Sequence, residues 1–277
     1  MQTLLEPVRL LTSSAFAYTT RLARNSTEIR AAQALRFAAR YMLDEQMIAN
    51  FIERVGIESG GKRFSQSLVE FQIKDGEAKR LRSANFGGVC DHLLVEHVPS
   101  GEIVGTYRLQ TGLSAAMRLG YYSEQEFEFA PFEPIRGELI ELGRACVHQQ
   151  HRNLVVLGLL WKGIADYARE RGGRYLCGCS SITSQDPTVG ASAYAELFRK
   201  HLAPAEWRTK PLPAFDCPLD QLAEEPPKIP KLLRAYLSIG AKICGPPALD
   251  RQFKTIDFLT LLDLHAMPAL VRARFLS

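Results

Sequence analysis

The sequence predicts a mixed α/β (α+β) fold built on a single mixed sheet. Three observations carry that expectation. Short apolar strands alternate with amphipathic helices, a hairpin is legible around residue 100, and the elements run β-α-β-β-connector-β-α-β-α-α-β with no internal repeat. At 277 residues the chain can bury one sizeable core, and 46% hydrophobic with 23% charged residues is the balance of a folded globular protein. A single domain over residues 1–277 is expected, with an atypical excursion at about 46–88 and a C-terminal extension from about 211.

Phe16-Ala-Tyr-Thr-Thr-Arg-Leu-Ala reads as the first strand. Asn25, three residues before Glu28, forms a capping-box-like start for a helix from about Ser26, with Ile29, Ala32, Leu35, Ala39 and Met42 as its apolar stripe and Arg36 on its edge. Between Gln46 and Gly88 the pattern weakens into Gly pairs and scattered Lys and Arg, which predicts a solvated, partly helical excursion. His92–Val98 and Ile103–Gln110, joined through Pro99-Ser-Gly-Glu, make the hairpin. An aromatic connector follows at 111–136. Then come a strand at Glu138–Val147 and a helix from about Leu154 to Arg171, closed by Gly172-Gly173. Arg174–Ser180 is a further strand, Asp186-Pro187 opens a helix as N-cap and N1, and the Pro-rich stretch 211–230 reads as a surface connection. Pro230–Gly240 is a short helix, and Thr255–Leu264 a closing strand.

A net charge of +4 is too mild to argue for nucleic acid, though it suits an acidic protein partner or an anionic membrane surface. No export signal is visible at the start and no run approaches the length of a membrane span, so a cytosolic protein with six reduced cysteines is expected. His148, His151, Cys146 and Cys177-Gly-Cys179 match no zinc spacing, and no metal is expected there.

The densest chemistry lies at Glu138-Leu-Ile-Glu-Leu-Gly-Arg-Ala-Cys-Val147, followed by His151-Arg-Asn-Leu-Val-Val. An apolar strand there carries Glu141 and Arg144, then turns into a helix whose N-terminus can face a ligand. A core has no use for such charges. Glu141 and Arg144 fall on opposite faces of a regular strand, so sharing a site requires a bulge near Leu142–Gly143.

With that element order, the phrases Cys90-Asp-His-Leu-Leu-Val, Gly105-Thr-Tyr-Arg-Leu and Glu141-Leu-Gly-Arg-Ala-Cys-Val-His resemble the GNAT acyltransferase superfamily. The closer likeness is to its long-chain branch, the ornithine-lipid N-acyltransferases and N-acyl amino acid synthases, over about residues 16–36 and 90–264. The resemblance implies a mostly antiparallel mixed sheet flanked by helices. It also implies transfer of a fatty acyl group from acyl carrier protein to the α-amine of an amino acid, ornithine being the first expectation. A different acceptor, or an acyl-homoserine-lactone-like synthase, is the same-class alternative. A silent acyl or carrier-protein binding module is the alternative of another class, because residues 60–89 are basic where relatives are usually acidic.

Under that reading Glu141 is the candidate to accept the amine proton, directly or through water, with a structural ion pair as the bland alternative. Arg144 and Arg108 suit the acceptor's carboxylate, since a guanidinium fork binds carboxylates bidentately. Asp91 is a candidate for a cationic group of the acceptor, and Arg36 for the same site. Ser180, with Ser181 and Ser184 at a strand end, is a candidate to hydrogen-bond pantetheine. CoA-dependent relatives place glycines before the central helix so that backbone N–H groups reach a pyrophosphate. Here Arg152-Asn153-Leu154-Val155 has none, and branched side chains obstruct that approach. The donor expected at these four residues is therefore the acyl-phosphopantetheine of acyl carrier protein, with no bound cofactor. The aromatic connector and the Leu/Val-rich helix start are sources for an acyl groove, although core packing is the commoner use. The tail from Met267 is a candidate for peripheral contact with the inner membrane face.

Overall fold

The structure, a computed structural model, describes residues 17–41 and 89–275. Its elements are β1 (Tyr18–Leu22), α1 (Ser26–Tyr41), β2 (Asp91–His97), β3 (Glu102–Thr111), α2 (Gly112–Met117), β4 (Leu139–Val147), α3 (Leu154–Glu170), β5 (Tyr175–Ile182), α4 (Pro187–His201), α5 (Lys231–Ser238), β6 (Lys242–Ile243), β7 (Ala248–Asp250), β8 (Thr255–Asp263) and α6 (Ala269–Phe275). The expected excursion at 46–88 lies outside the described residues. Helices flank an open, mostly antiparallel sheet: β1–β2, β2–β3, β5–β8, β6–β8 and β7–β8 are antiparallel and β4–β5 is parallel. The chain groups into two compact units, Met1–Leu109 with Arg144–Ala165, and Gln110–Gly143 with Asp166–Ser277.

In the first unit β2 and β3 are buried on both faces, so their sequences read as near-continuous apolar runs instead of alternating ones. The register sets Leu93 opposite Tyr107 and Val95 opposite Gly105, and His92 opposite Arg108 on the other face. The start of α3 covers the first face, where a Cβ on Gly105 would sit 3.2 Å from Val156 Cγ1. α1 packs on β2 and buries Ala32 and Leu35. Its start is the expected capping arrangement: Asn25 Oδ1 accepts from the Glu28 N–H at 3.0 Å, and Glu28 reaches back to the Arg24 N–H at 2.7 Å.

In the second unit β5 and β8 pair from Tyr175–Asp263 to Ile182–Ile256, while the parallel β4–β5 pairing runs only from Leu139 to Glu141. Beyond Glu141, the Leu142 carbonyl turns onto Gly178, where a Cβ would meet that oxygen at 2.2 Å. Tyr121, Phe127, Phe129 and Phe132 of the connector are buried against Leu139, Tyr175 and Leu261, so they are core and not the wall of an acyl groove. The Pro-rich stretch is more than a surface connection, since Cys217 and Ile229 enter a second core cluster with Leu233, Ile243 and Phe258. β6, β7, α2 and α6 were not expected from the sequence; each is too short to develop a readable period.

Candidate functional site

The first unit gathers arginines on the α1 face of its sheet. Arg36 projects from α1, and one of its terminal nitrogens reaches both His92 Nδ1 at 2.8 Å and Thr106 Oγ1 at 2.9 Å. Arginine only donates, so His92 Nδ1 accepts and its proton sits on Nε2. His92, Thr106 and Arg108 are almost fully buried and follow one another on this face because β2 and β3 pair in that register. Burial, then the charges of Arg108 and Arg144, push the Arg36 guanidinium down from its ordinary range. Its intrinsic basicity still keeps it cationic at neutral pH. Arg36 Nε is buried and bonds to no described residue. A carboxylate placed beside Arg36 would reverse the shift on it.

Arg144 joins this cluster through an unusual backbone. Its φ is +56°, the left-handed region that side-chain-bearing residues seldom enter. The strand backbone thus departs from regular geometry at Arg144, just beyond the Leu142–Gly143 position. A strained non-glycine residue inside a strand is a common sign of a functional position. Asp91 stands opposite Leu109 in the register, on the α3 face, so the strand pairing does not bring it to Arg36 and Arg108.

At the start of α3, Asn153 Oδ1 accepts from the N–H groups of Val155 and Val156, both at 3.0 Å. The side chain thereby occupies two of the free amides that a helix N-terminus offers to a phosphate. Arg152 is exposed and directs Nε to the Val147 carbonyl at 3.4 Å, and Leu154 is 79% exposed. Tyr18 holds His151 Nδ1 at 3.0 Å, and burial, helped by His97 and His148, lowers the affinity of that ring for a proton.

In the second unit, Glu141 is 2% exposed and its carboxylate accepts three hydrogen bonds. Oε1 takes the Ser123 N–H at 2.7 Å and the Ser123 hydroxyl at 2.6 Å, and Oε2 takes the Tyr122 N–H at 2.8 Å. Ser180 lies inside β5, not beyond its end, with Oγ 3.4 Å from Thr260 Oγ1, because the strand continues to Ile182. Sequence reasoning missed His92, Thr106 and Ser123. The first two had a signal in the hairpin, whose register sets His92 against Arg108; Ser123 had none.

An arginine-lined hairpin and a left-handed Arg144 leading to a capped helix start, all in the first unit, fit an acyltransferase of the GNAT class. The acetyltransferase (GNAT) domain family matches residues 66–162. The L-ornithine N(alpha)-acyltransferase of Rhodobacter capsulatus is 30% identical over 269 residues, 93% of this chain and 94% of that protein. Proteins of the same name from Brucella abortus (29% over 271 residues; 93% and 86%) and Agrobacterium fabrum (30% over 263 residues; 90% and 81%) are also similar. The chain belongs to the L-ornithine N(alpha)-acyltransferase family. Among solved structures, FeeM, an N-acyl amino acid synthase from uncultured soil microbes, aligns with a TM-score of 0.46 and 14% identity over 92% of this chain and 97% of that one.

Proposed function

We propose that the protein moves a long-chain acyl group, plain or 3-hydroxylated, from acyl carrier protein to the α-amine of L-ornithine. The amine nitrogen attacks the thioester carbonyl, the C–N bond forms, the C–S bond breaks, and pantetheine leaves as a thiol while the amine sheds a proton. The cluster of Arg36, Arg108 and Arg144 carries this reading, because an amino acid acceptor presents one carboxylate beside the amine that reacts. Glu141 is the proposed proton acceptor, directly or through water, its carboxylate held by Tyr122 and Ser123. Asp91 and Ser180 have no role in the proposal, given their places in the strands.

The donor assignment rests on Arg152–Val155. Without glycines, and with Asn153 on two amides, this helix start suits a phosphopantetheine arm better than a nucleotide pyrophosphate. The amphipathic product calls for work at the inner membrane face by peripheral contact. No helix among the described residues is long and apolar enough to cross a membrane.

The test offers the purified protein acyl carrier protein thioesters and matched CoA thioesters with a panel of amino acids, and reads amide products by mass spectrometry. An N-acylornithine formed from the carrier protein at far lower donor concentration than from CoA is expected. Equal use of CoA overturns the donor assignment, another preferred amino acid overturns the acceptor, and binding without turnover favours a silent module.

A further inference from the structure

Three carboxylates that the transfer reaction does not use converge in the second unit. Glu126 comes from the connector, Asp250 from the end of β7 and Asp257 from β8; all are buried, and one oxygen of each lies within 4.8 Å of the others. The β7–β8 register, with Asp250 opposite Thr255, fixes the two aspartates. Glu126 is fixed by its backbone, whose N–H meets Ser123 O at 3.1 Å and whose carbonyl accepts from Leu212 N at 2.8 Å. No basic side chain among the described residues forms a salt bridge with any of the three.

Their remaining partners are few. Asp250 Oδ1 accepts from Gln252 N and Phe253 N at 2.7 and 2.9 Å, Asp257 Oδ2 from the Thr255 hydroxyl at 3.1 Å, and Glu126 Oε2 from the Cys179 thiol at 3.6 Å, while the Asp257 side chain also meets those of Ser181 and Glu126. Asp257 Oδ1 is the exception. The residue is 4% exposed, and this oxygen is the one buried carboxylate oxygen without a hydrogen-bond partner among the described residues.

We propose that Glu126, Asp250 and Asp257 form a binding site for a hard divalent cation. Like charges this close in a buried setting demand a positive partner, and no described side chain serves the purpose. A proton shared by Glu126 and Asp257 answers part of that demand. Burial and the neighbouring carboxylates do push both groups up. Such a proton joins only two of the three carboxylates, whereas one cation contacts all three side chains. The donors are carboxylate oxygens, the set that hard ions prefer. Burial, then the charges of Glu126 and Asp257, drive the Cys179 thiol up, so it stays a proton donor and not a soft-metal ligand. The bound ion ties the connector to β7 and β8, which is a structural role separate from acyl transfer.

Calorimetry and thermal melting of the full chain, stripped with EDTA and then titrated with CaCl2 or MgCl2, test the site without reference to activity. One divalent ion bound per chain and a raised melting temperature are expected, with Ca2+ as the reference probe. Asp257→Asn and Glu126→Gln should melt no lower than the stripped parent, since each removes a buried like charge, and should lose the Ca2+ response. A stripped parent that gives neither heat nor a melting shift with either ion, yet becomes more stable as pH falls from 8 to 5, is a proton-sharing cluster and overturns the proposal. Variants that respond to Ca2+ as the parent does overturn it as well.

Discussion

Ser123 donates both its backbone N–H and its hydroxyl to a single oxygen of Glu141, at 2.7 and 2.6 Å, so the strand carboxylate and the connector hold each other in place. Two substitutions separate that anchoring from proton transfer. In Glu141→Gln the amide NH2 has to face a backbone donor, which should cost about 1–3 kcal/mol of stability. If Glu141 takes the amine proton, turnover should also fall about 10²–10⁴-fold, the range for losing a general base. Ser123→Ala removes one donor and keeps the carboxylate. It should lower the melting temperature while turnover stays within about tenfold of the parent, a change of about 1.4 kcal/mol. Equal turnover losses in the two variants would reduce Glu141 to an anchor.

The bonds from Arg36 to His92 and Thr106 leave the rest of its guanidinium for an anion. Arg36→Lys keeps the charge but loses the planar fork, and an ammonium shifts more readily on burial than a guanidinium does. The acceptor KM should rise about 10- to 100-fold, the worth of a charge-assisted hydrogen bond of about 1.5–3 kcal/mol. The acyl-donor KM should stay within about threefold, less than 1 kcal/mol. Steady-state kinetics with each substrate varied in turn decides the matter; a loss confined to the donor would remove Arg36 from the acceptor site.

What was legible in the sequence was local. The Asn25–Glu28 cap, the hairpin and the Asn153 helix start each depend on residues within a few positions, and all three are present. Arg36, Arg108 and Arg144 were readable as candidates, but their gathering depends on α1 docking on β2, which no local pattern encodes. The acidic trio was invisible, because Glu126, Asp250 and Asp257 come from three elements, one of them the three-residue β7. Ser180 was misplaced by one strand-end decision, a boundary that β8 pairing moves to Ile182.

Gly178 should tolerate no side chain. A Cβ there meets the Leu142 carbonyl oxygen at 2.2 Å, and a backbone atom held in a strand cannot swing aside as a side-chain tip can. Gly178→Ala should cost about 1–3 kcal/mol, the usual penalty of overpacking. Because Leu142 follows Glu141, turnover should fall with it. Gly137→Ala is the control: nothing lies within 4 Å of its Cβ position, and it should be neutral or stabilise by up to about 1 kcal/mol. Denaturant melts of both variants check the contrast; equal stabilities would mean that β4 and β5 adjust freely at this point.

The acid dependence of stability should carry a contribution from Glu28. Its carboxylate binds Arg21 at 2.9 Å and the Arg24 N–H at 2.7 Å, and the Arg21 contact is the main reason its proton affinity falls below the usual 4.5. A carboxyl whose pKa is lowered by folding stabilises the folded state above the unfolded value and loses that contribution as pH drops through the folded one. The gap between the parent and Glu28→Gln should therefore be full above about pH 5 and close progressively below 4.5. Arg21 and Glu28 are each about one-fifth exposed, so solvent screening limits the gap to about 0.5–1 kcal/mol. Added salt should narrow it further at neutral pH, as screening weakens exposed pairs. Melting curves of both proteins between pH 3 and 7 provide the measurement. A gap that persists at pH 3 would assign the Glu28 contribution to its backbone cap and not to its charge.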